Sequence, residues 1–208
     1  MESVVPEPRR ARERVVPLRY GIDEIPPVTR VRTTALHGAI RALEGRSLLP
    51  KYTEGLPGSY RTRLLTVLPG GWLEIPYAIA HYAAIDALKL PVSEQVAIGT
   101  AAAGSAQPYV TGALLRMSRE MGVTPWTVIA HSHRLWDRMC VGGDISLDRV
   151  GPKEAIVTLY GLPYARSQFF RVAIRVAFQE GLLHWCRKGY VTEIGCSNTT
   201  VTLREAWA

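Results

Sequence analysis

Apolar positions along this chain change their spacing at two places, and those places divide it. From Tyr164 to Lys188 the one glycine or proline is Gly181, and apolar side chains recur at steps of three and four. Phe170, Ile174, Ala177, Gly181 and Trp185 make one stripe, and Phe169, Val172, Val176 and Leu183 a second. Arg171, Arg175 and Gln179 are left as a narrow polar wedge. A helix apolar on two sides must be covered on two sides, so the pattern predicts a rod held between a sheet and other helices. Gly181 costs about 1 kcal/mol against alanine in a helix interior, and a close backbone approach is the compensation expected there.

Two-residue alternation takes over on either side of the rod. Lys153–Tyr160 places Ile156, Val157, Leu159 and Tyr160 in a strand that Gly161-Leu162-Pro163 ends, because proline cannot donate to a ladder. Gly189, following Arg187 and Lys188, reads as the cap of the helix. Tyr190–Cys196 and Thr199–Trp207 alternate like paired strands around Ser197-Asn198. Val201, Leu203 and Trp207 share one face, and Thr200, Thr202 and Arg204 the other.

Upstream the spacing is helical in shorter pieces. Val28–Arg32 reads as an edge strand leading to a helix at Thr34–Leu43 with Thr34 as its cap. Gly45–Gly58 reads as loop, Tyr60–Val67 as an amphipathic turn, and Pro69-Gly70-Gly71 as a break. A helix is predicted over Tyr77–Leu88, and another from Ser93. The small residues at 99–106 imply tight helix packing or a floor beneath a pocket. Pro108 is expected to begin a further helix that Gly122 closes, and Thr124-Pro125 another reaching Cys140, before Gly142-Gly143. The sum is an α+β fold: an N-terminal helical layer packed on a small antiparallel sheet crossed by one long helix. Residues 28–208 are read as one domain, mainly helical over 28–143 and strand–helix–hairpin over 153–207. Residues 1–27, with five prolines and the cluster Arg9, Arg10, Arg12 and Arg14, read as an extended basic arm, disordered or draped over the body.

The run GPKEAIVTLYGLPYARSQFFRVAIRVAFQEGLLHWCRKGYVTEIGCSNTTVTLREAW resembles the C-terminal half of an uncharacterised bacterial family described mainly from myxobacteria. Its fold relatives are the V4R, heme-NO-binding and TRAPP-like domains. The matching features are the strand ending in Gly-Leu-Pro, the helix with Gly181, the cysteine-bearing hairpin and the terminal Trp207. Weaker agreement runs upstream through LPGGWLEIPYAIAHYAAIDAL and SEQVAIG. The resemblance implies a ligand or acyl chain held between helices and sheet, and association through the helical face as a homodimer.

Charge and composition narrow the class. Twenty-five lysines and arginines against 18 acidic residues give a net charge of +7, which favours approach to nucleic acid, anionic lipid or an acidic partner. A basic composition without a recognition motif does not define a nucleic-acid site, so nucleic acid is not the expected partner. Three cysteines in no spaced pattern argue against a disulfide framework. The sequence shows no leader and no apolar run near the ~20 residues of a spanning helix. The expectation is a cytoplasmic protein with no membrane span.

Candidate chemistry is sparse. His131 and His133 point about 200° apart on a helix and cannot chelate one ion, and His184 and Cys186 share that spacing, so no metal site is expected. Heme-NO-binding relatives use a helical histidine and a Tyr-x-Ser-x-Arg run; the chain lacks that run, so neither heme nor another cofactor is expected. There is no nucleophile elbow, Walker loop or dinucleotide fingerprint. Cys196 beside its turn is the residue on which an alternative reading, an enzyme or redox protein, would rest. A third reading, a nucleic-acid or cyclic-dinucleotide binder through Arg9, Arg10, Arg12 and Arg14, rests on Arg10-x-x-x-Arg14, which invites comparison with cyclic-dinucleotide receptors of the PilZ type. The second half of that motif fails, because Arg149 stands where Asp144-Ile-Ser146 would require a glycine. Trp72, His81, Tyr82, Trp126, His133 and Trp136 combine apolar bodies with polar tips, the mixture found in apolar ligand sites. The expected function is a non-enzymatic sensory or adaptor module that contacts a partner protein or a small apolar ligand.

Overall fold

The computed structural model describes residues 12–121 and 124–208, with the backbone alone over 107–121. Arg9, Arg10 and Gly122 lie outside the described residues. In chain order the strands are β1 (Glu13–Val16), β2 (Arg30–Arg32), β3 (Trp72–Glu74), β4 (Cys140–Val141), β5 (Asp144–Gly151), β6 (Glu154–Tyr160), β7 (Gly189–Cys196) and β8 (Val201–Trp207). The helices are α1 (Thr33–Glu44), α2 (Leu49–Gly55), α3 (Gly58–Leu65), α4 (Ile75–Ala87), α5 (Val92–Met121), α6 (Pro125–Ile129), α7 (Ser132–Met139) and α8 (Gln168–Leu183). The architecture is α+β. A five-stranded antiparallel sheet runs β1-β5-β6-β8-β7, and a small one runs β3-β2-β4. No helix among the described residues is long and apolar enough to cross a membrane.

The rod α8 is sandwiched. One flank lies on β7 and β8 and the other on α5, with α4 at its start. Its first turn is held twice: Ser167 Oγ accepts from Phe170 N at 3.1 Å, and the Asp86 carboxylate of α4 accepts from Phe169 N at 2.7 Å. A carboxylate there satisfies orphan donors and complements the helix dipole. The facing sheet presents Ile145, Leu147, Val157, Leu159, Val201 and Leu203, all buried.

Several boundaries differ from expectation for identifiable reasons. β2 is the central strand of the small sheet rather than an edge, because the Trp72–Glu74 and Cys140–Val141 segments flank it. Thr34 does not cap α1; with Thr33 it binds the 68–71 turn, where Gly71 N donates to Thr33 Oγ1 at 2.9 Å. The expected loop at 45–58 contains α2, whose Tyr52 is fully buried. α5 continues through Pro108 as one helix of 30 residues. Gly38 of α1 packs against Ala102 and Ser105, and Gly99 against Ala173 of α8, so that packing outweighs the one backbone hydrogen bond that a proline removes. The expected helix 125–140 breaks into α6 and α7 at Ala130–His131. α8 ends at Leu183, and Gly189 opens β7 instead of capping the helix.

Residues 12–27, from the stretch expected as an arm, add a strand to the main sheet. β1 pairs antiparallel with β5, and Arg14 forms an ion pair with Asp148 while Arg12 is exposed. Arg19 anchors the next turn: its Nε lies 3.0 Å from the fully buried Asp144, and its Nη1 lies 2.8 Å from Asp137. Pro26 O accepts from Gly143 N at 2.7 Å. Gly142 and Gly143 both adopt positive φ, and a Cβ on Gly142 would collide with Pro27 O.

Candidate functional site

Between α5, α8, the α6–α7 segment and the inner face of the sheet lies a cavity of about 380 Å³. Its wall uses the first apolar stripe of α8: Phe170, Ile174, Ala177, Gly181 and Trp185. The small residues of α5 form the opposite wall, including Gly99, Ala102, Ala103 and Gly104. A Cβ built on Gly104 or Gly181 meets no described atom within 4 Å. The close approach expected at Gly181 is therefore absent, and the glycine faces open space. Both border the void, Gly181 half-buried in the last turn of α8 and Gly104 at its exposed side.

Polar groups in the wall are few and largely neutral. Tyr82 and Tyr164 stack with ring centroids 5.0 Å apart, and Tyr164 packs on Phe170 at 4.6 Å. Burial raises both phenols above their ordinary range, and it pushes the Cys140 thiol, hydrogen-bonded to Tyr164, up to about 12. That thiol stays protonated and is no nucleophile at neutral pH. Glu205 of β8 is 2 % exposed, and burial alone pushes its carboxyl up to about 8. Trp136 Nε1 donates to Gly142 O at 2.9 Å, so this ring is fixed in place.

Of the residues singled out in the sequence, Tyr82 and Trp136 line the cavity. The other four lie elsewhere. Trp72 is flanked by Arg32 and Arg30, whose guanidiniums stand 4.0 and 5.8 Å from its ring. Trp126 meets Trp207 edge-on at 4.8 Å and lies under Arg149 at 4.2 Å. His133 Nε2 donates to Ile145 O at 3.1 Å, which fixes its tautomer. His81 is fully buried, its Nδ1 is 2.8 Å from Tyr52 Oη, and burial lowers it to about 3. Cys196 is exposed, and its thiol donates to Ser197 O at 3.3 Å. Sequence reasoning missed Tyr164 and Glu205 as cavity residues. The signal for Glu205 was present, since the alternation that turns Val201, Leu203 and Trp207 inward turns residue 205 inward with them.

No family model and no curated protein matches the chain. Two solved structures share its fold. One is an Fe(II) unliganded H-NOX protein mutant from K. algicida, with TM-score 0.57 and 7% identity, covering 85% of this chain and 96% of that one. The other comes from work on modulating heme redox potential through protein-induced porphyrin distortion, with TM-score 0.51 and 7% identity, covering 85% and 99%. At that identity the likeness is one of fold.

The residues present do not fit heme. Of the five histidines, His184 alone lines the cavity, and it lies past the end of α8 as its C-cap. His37, His81 and His133 lie outside that lining; the Nε2 of His81 is buried without a hydrogen-bond partner among the described residues, but its ring packs among Tyr52, Tyr82 and Phe169 and not on the cavity. The chain holds no Tyr-x-Ser-x-Arg run: Tyr164, which lines the cavity, is followed by Ala165, Arg166 and Ser167. Arg32 also borders the cavity, but it donates to Arg138 O at 3.0 Å and Gly70 O at 2.9 Å while stacked on Trp72. Among the described residues no group of three histidine, cysteine or acidic side chains is arranged to hold a metal ion.

Proposed function

We propose that the chain is a sensory ligand-binding domain whose signal is the occupancy of this cavity by a small apolar molecule. The observation that carries the reading is the void itself, about 380 Å³ between α5 and α8 with a largely apolar lining. Gly181, half-buried in the last turn of α8, leaves room in its wall, since no described atom lies within 4 Å of the Cβ it lacks. The size and apolar lining match a small-ligand site. The likeness to a heme-NO-binding fold supports the sensory role, and the absence of a Tyr-x-Ser-x-Arg run supports a ligand other than heme. Membership of the myxobacterial family, a cytoplasmic setting, the single-domain organisation and readout through a partner protein or a second copy belong to the same proposal. Native mass spectrometry of protein purified from its own host tests it. A retained small molecule is expected; a protein that carries none, and takes up none from an apolar extract of that host, contradicts it.

A further inference from the structure

The cavity wall holds an acidic group that the protein does not balance. Among the described residues no hydrogen bond or ion pair reaches the Glu205 carboxyl, although it is 98 % removed from solvent by its 2 % exposure. Desolvation by burial is the cause of its perturbation, and no cation among the described residues contributes. It belongs to the cavity lining rather than to the packed sheet alone. A second carboxylate, Glu180, borders the same space. The cationic side chain among the described wall residues, Arg32, is stacked and hydrogen-bonded elsewhere, and His184 has a partner of its own. Six rings with negative faces, those of Tyr82, Trp136, Tyr164, Phe170, Phe178 and Trp185, line the same space.

An uncompensated carboxyl in apolar walls is complemented best by a ligand cation that can donate to it. We propose that the ligand is a lipophilic amine, its apolar body in the cavity and its protonated amino head on Glu205. This rests on the reading of the cavity as a ligand site. On binding, the ammonium keeps its proton and Glu205 releases its own to solvent, so the pair forms with net charge conserved.

The test compares n-decylamine, n-decanol and n-decanoate, each titrated calorimetrically near pH 7 into the full chain and into Glu205→Gln and Gly181→Leu variants. The amine is expected to bind about tenfold or more tightly than the alcohol, and decanoate most weakly, as a charge-assisted hydrogen bond requires. Glu205→Gln should bring amine and alcohol together, and buffers of differing ionisation enthalpy should report proton release for the amine alone. Alcohol or acid binding as tightly as the amine, with Gly181→Leu abolishing all three, overturns the amine inference and leaves the cavity reading standing. No binding by any of the three overturns both.

Discussion

Glu205 of β8 lies directly across the ladder from Ala155 of β6, a carboxyl beside a methyl on the inner face of the sheet. Val191 flanks it on the other side, and both neighbours are buried. The ordinary value of such a carboxyl is 4.5 and its value here is about 8, so the folded state favours the neutral form. The contribution is intact below about pH 4.5 and is lost as pH rises through about 8. Glu205→Gln, neutral at every pH, should therefore match the native protein in thermal midpoint near pH 5 and exceed it near pH 9. Melting curves across that range check this, and a gap that does not widen with pH contradicts it.

The helix glycines divide into two kinds, and their alanine variants should move stability in opposite directions. Gly104→Ala and Gly181→Ala are expected to stabilise by about 0.5–1 kcal/mol each, because the methyl enters open space. Gly38→Ala is expected to destabilise by about 1–3 kcal/mol, because its Cβ would press on Ser105 and the Ala102 backbone. Urea titrations of the three variants measure the difference.

Arg19 ties the N-terminal stretch to β5 through Asp144 and to α7 through Asp137. Removing the guanidinium leaves a buried carboxylate short of a cation, so Arg19→Met should cost about 2–3 kcal/mol after discounting for the partial exposure of the arginine. Adding Asp144→Asn should recover part of that loss. A double-mutant cycle by denaturant unfolding gives the coupling, and strict additivity would refute the pairing as a source of stability.

The sequence made the long helix legible because its two apolar stripes require two covers, and α8 has them in the sheet and α5. The inner face of β8 was legible from the positions of Val201, Leu203 and Trp207. Local pattern failed where tertiary pairing decides. Asp144–Gly151 mixes acidic and basic residues with apolar ones, and it is a strand because β1 and β6 bracket it. α5 spans the proline that local rules treat as a start, since α1 and α8 grip it upstream. Of the six candidate residues two, Tyr82 and Trp136, are in the cavity wall, while Trp72 and Trp126 are held by arginines at the surface of other elements. Which of several helical aromatics meet at one void depends on helix register across the fold, and no spacing within one segment encodes it.

The most direct measurement is a titration with N-phenyl-1-naphthylamine, a neutral apolar fluorophore, of the native chain and of Gly181→Leu. The native protein should bind one equivalent saturably with a rise in fluorescence, and the leucine, projecting into the void, should weaken binding by about tenfold or more while the fold is retained. Equal binding by the two proteins, or none by either, would contradict a ligand cavity between α5 and α8.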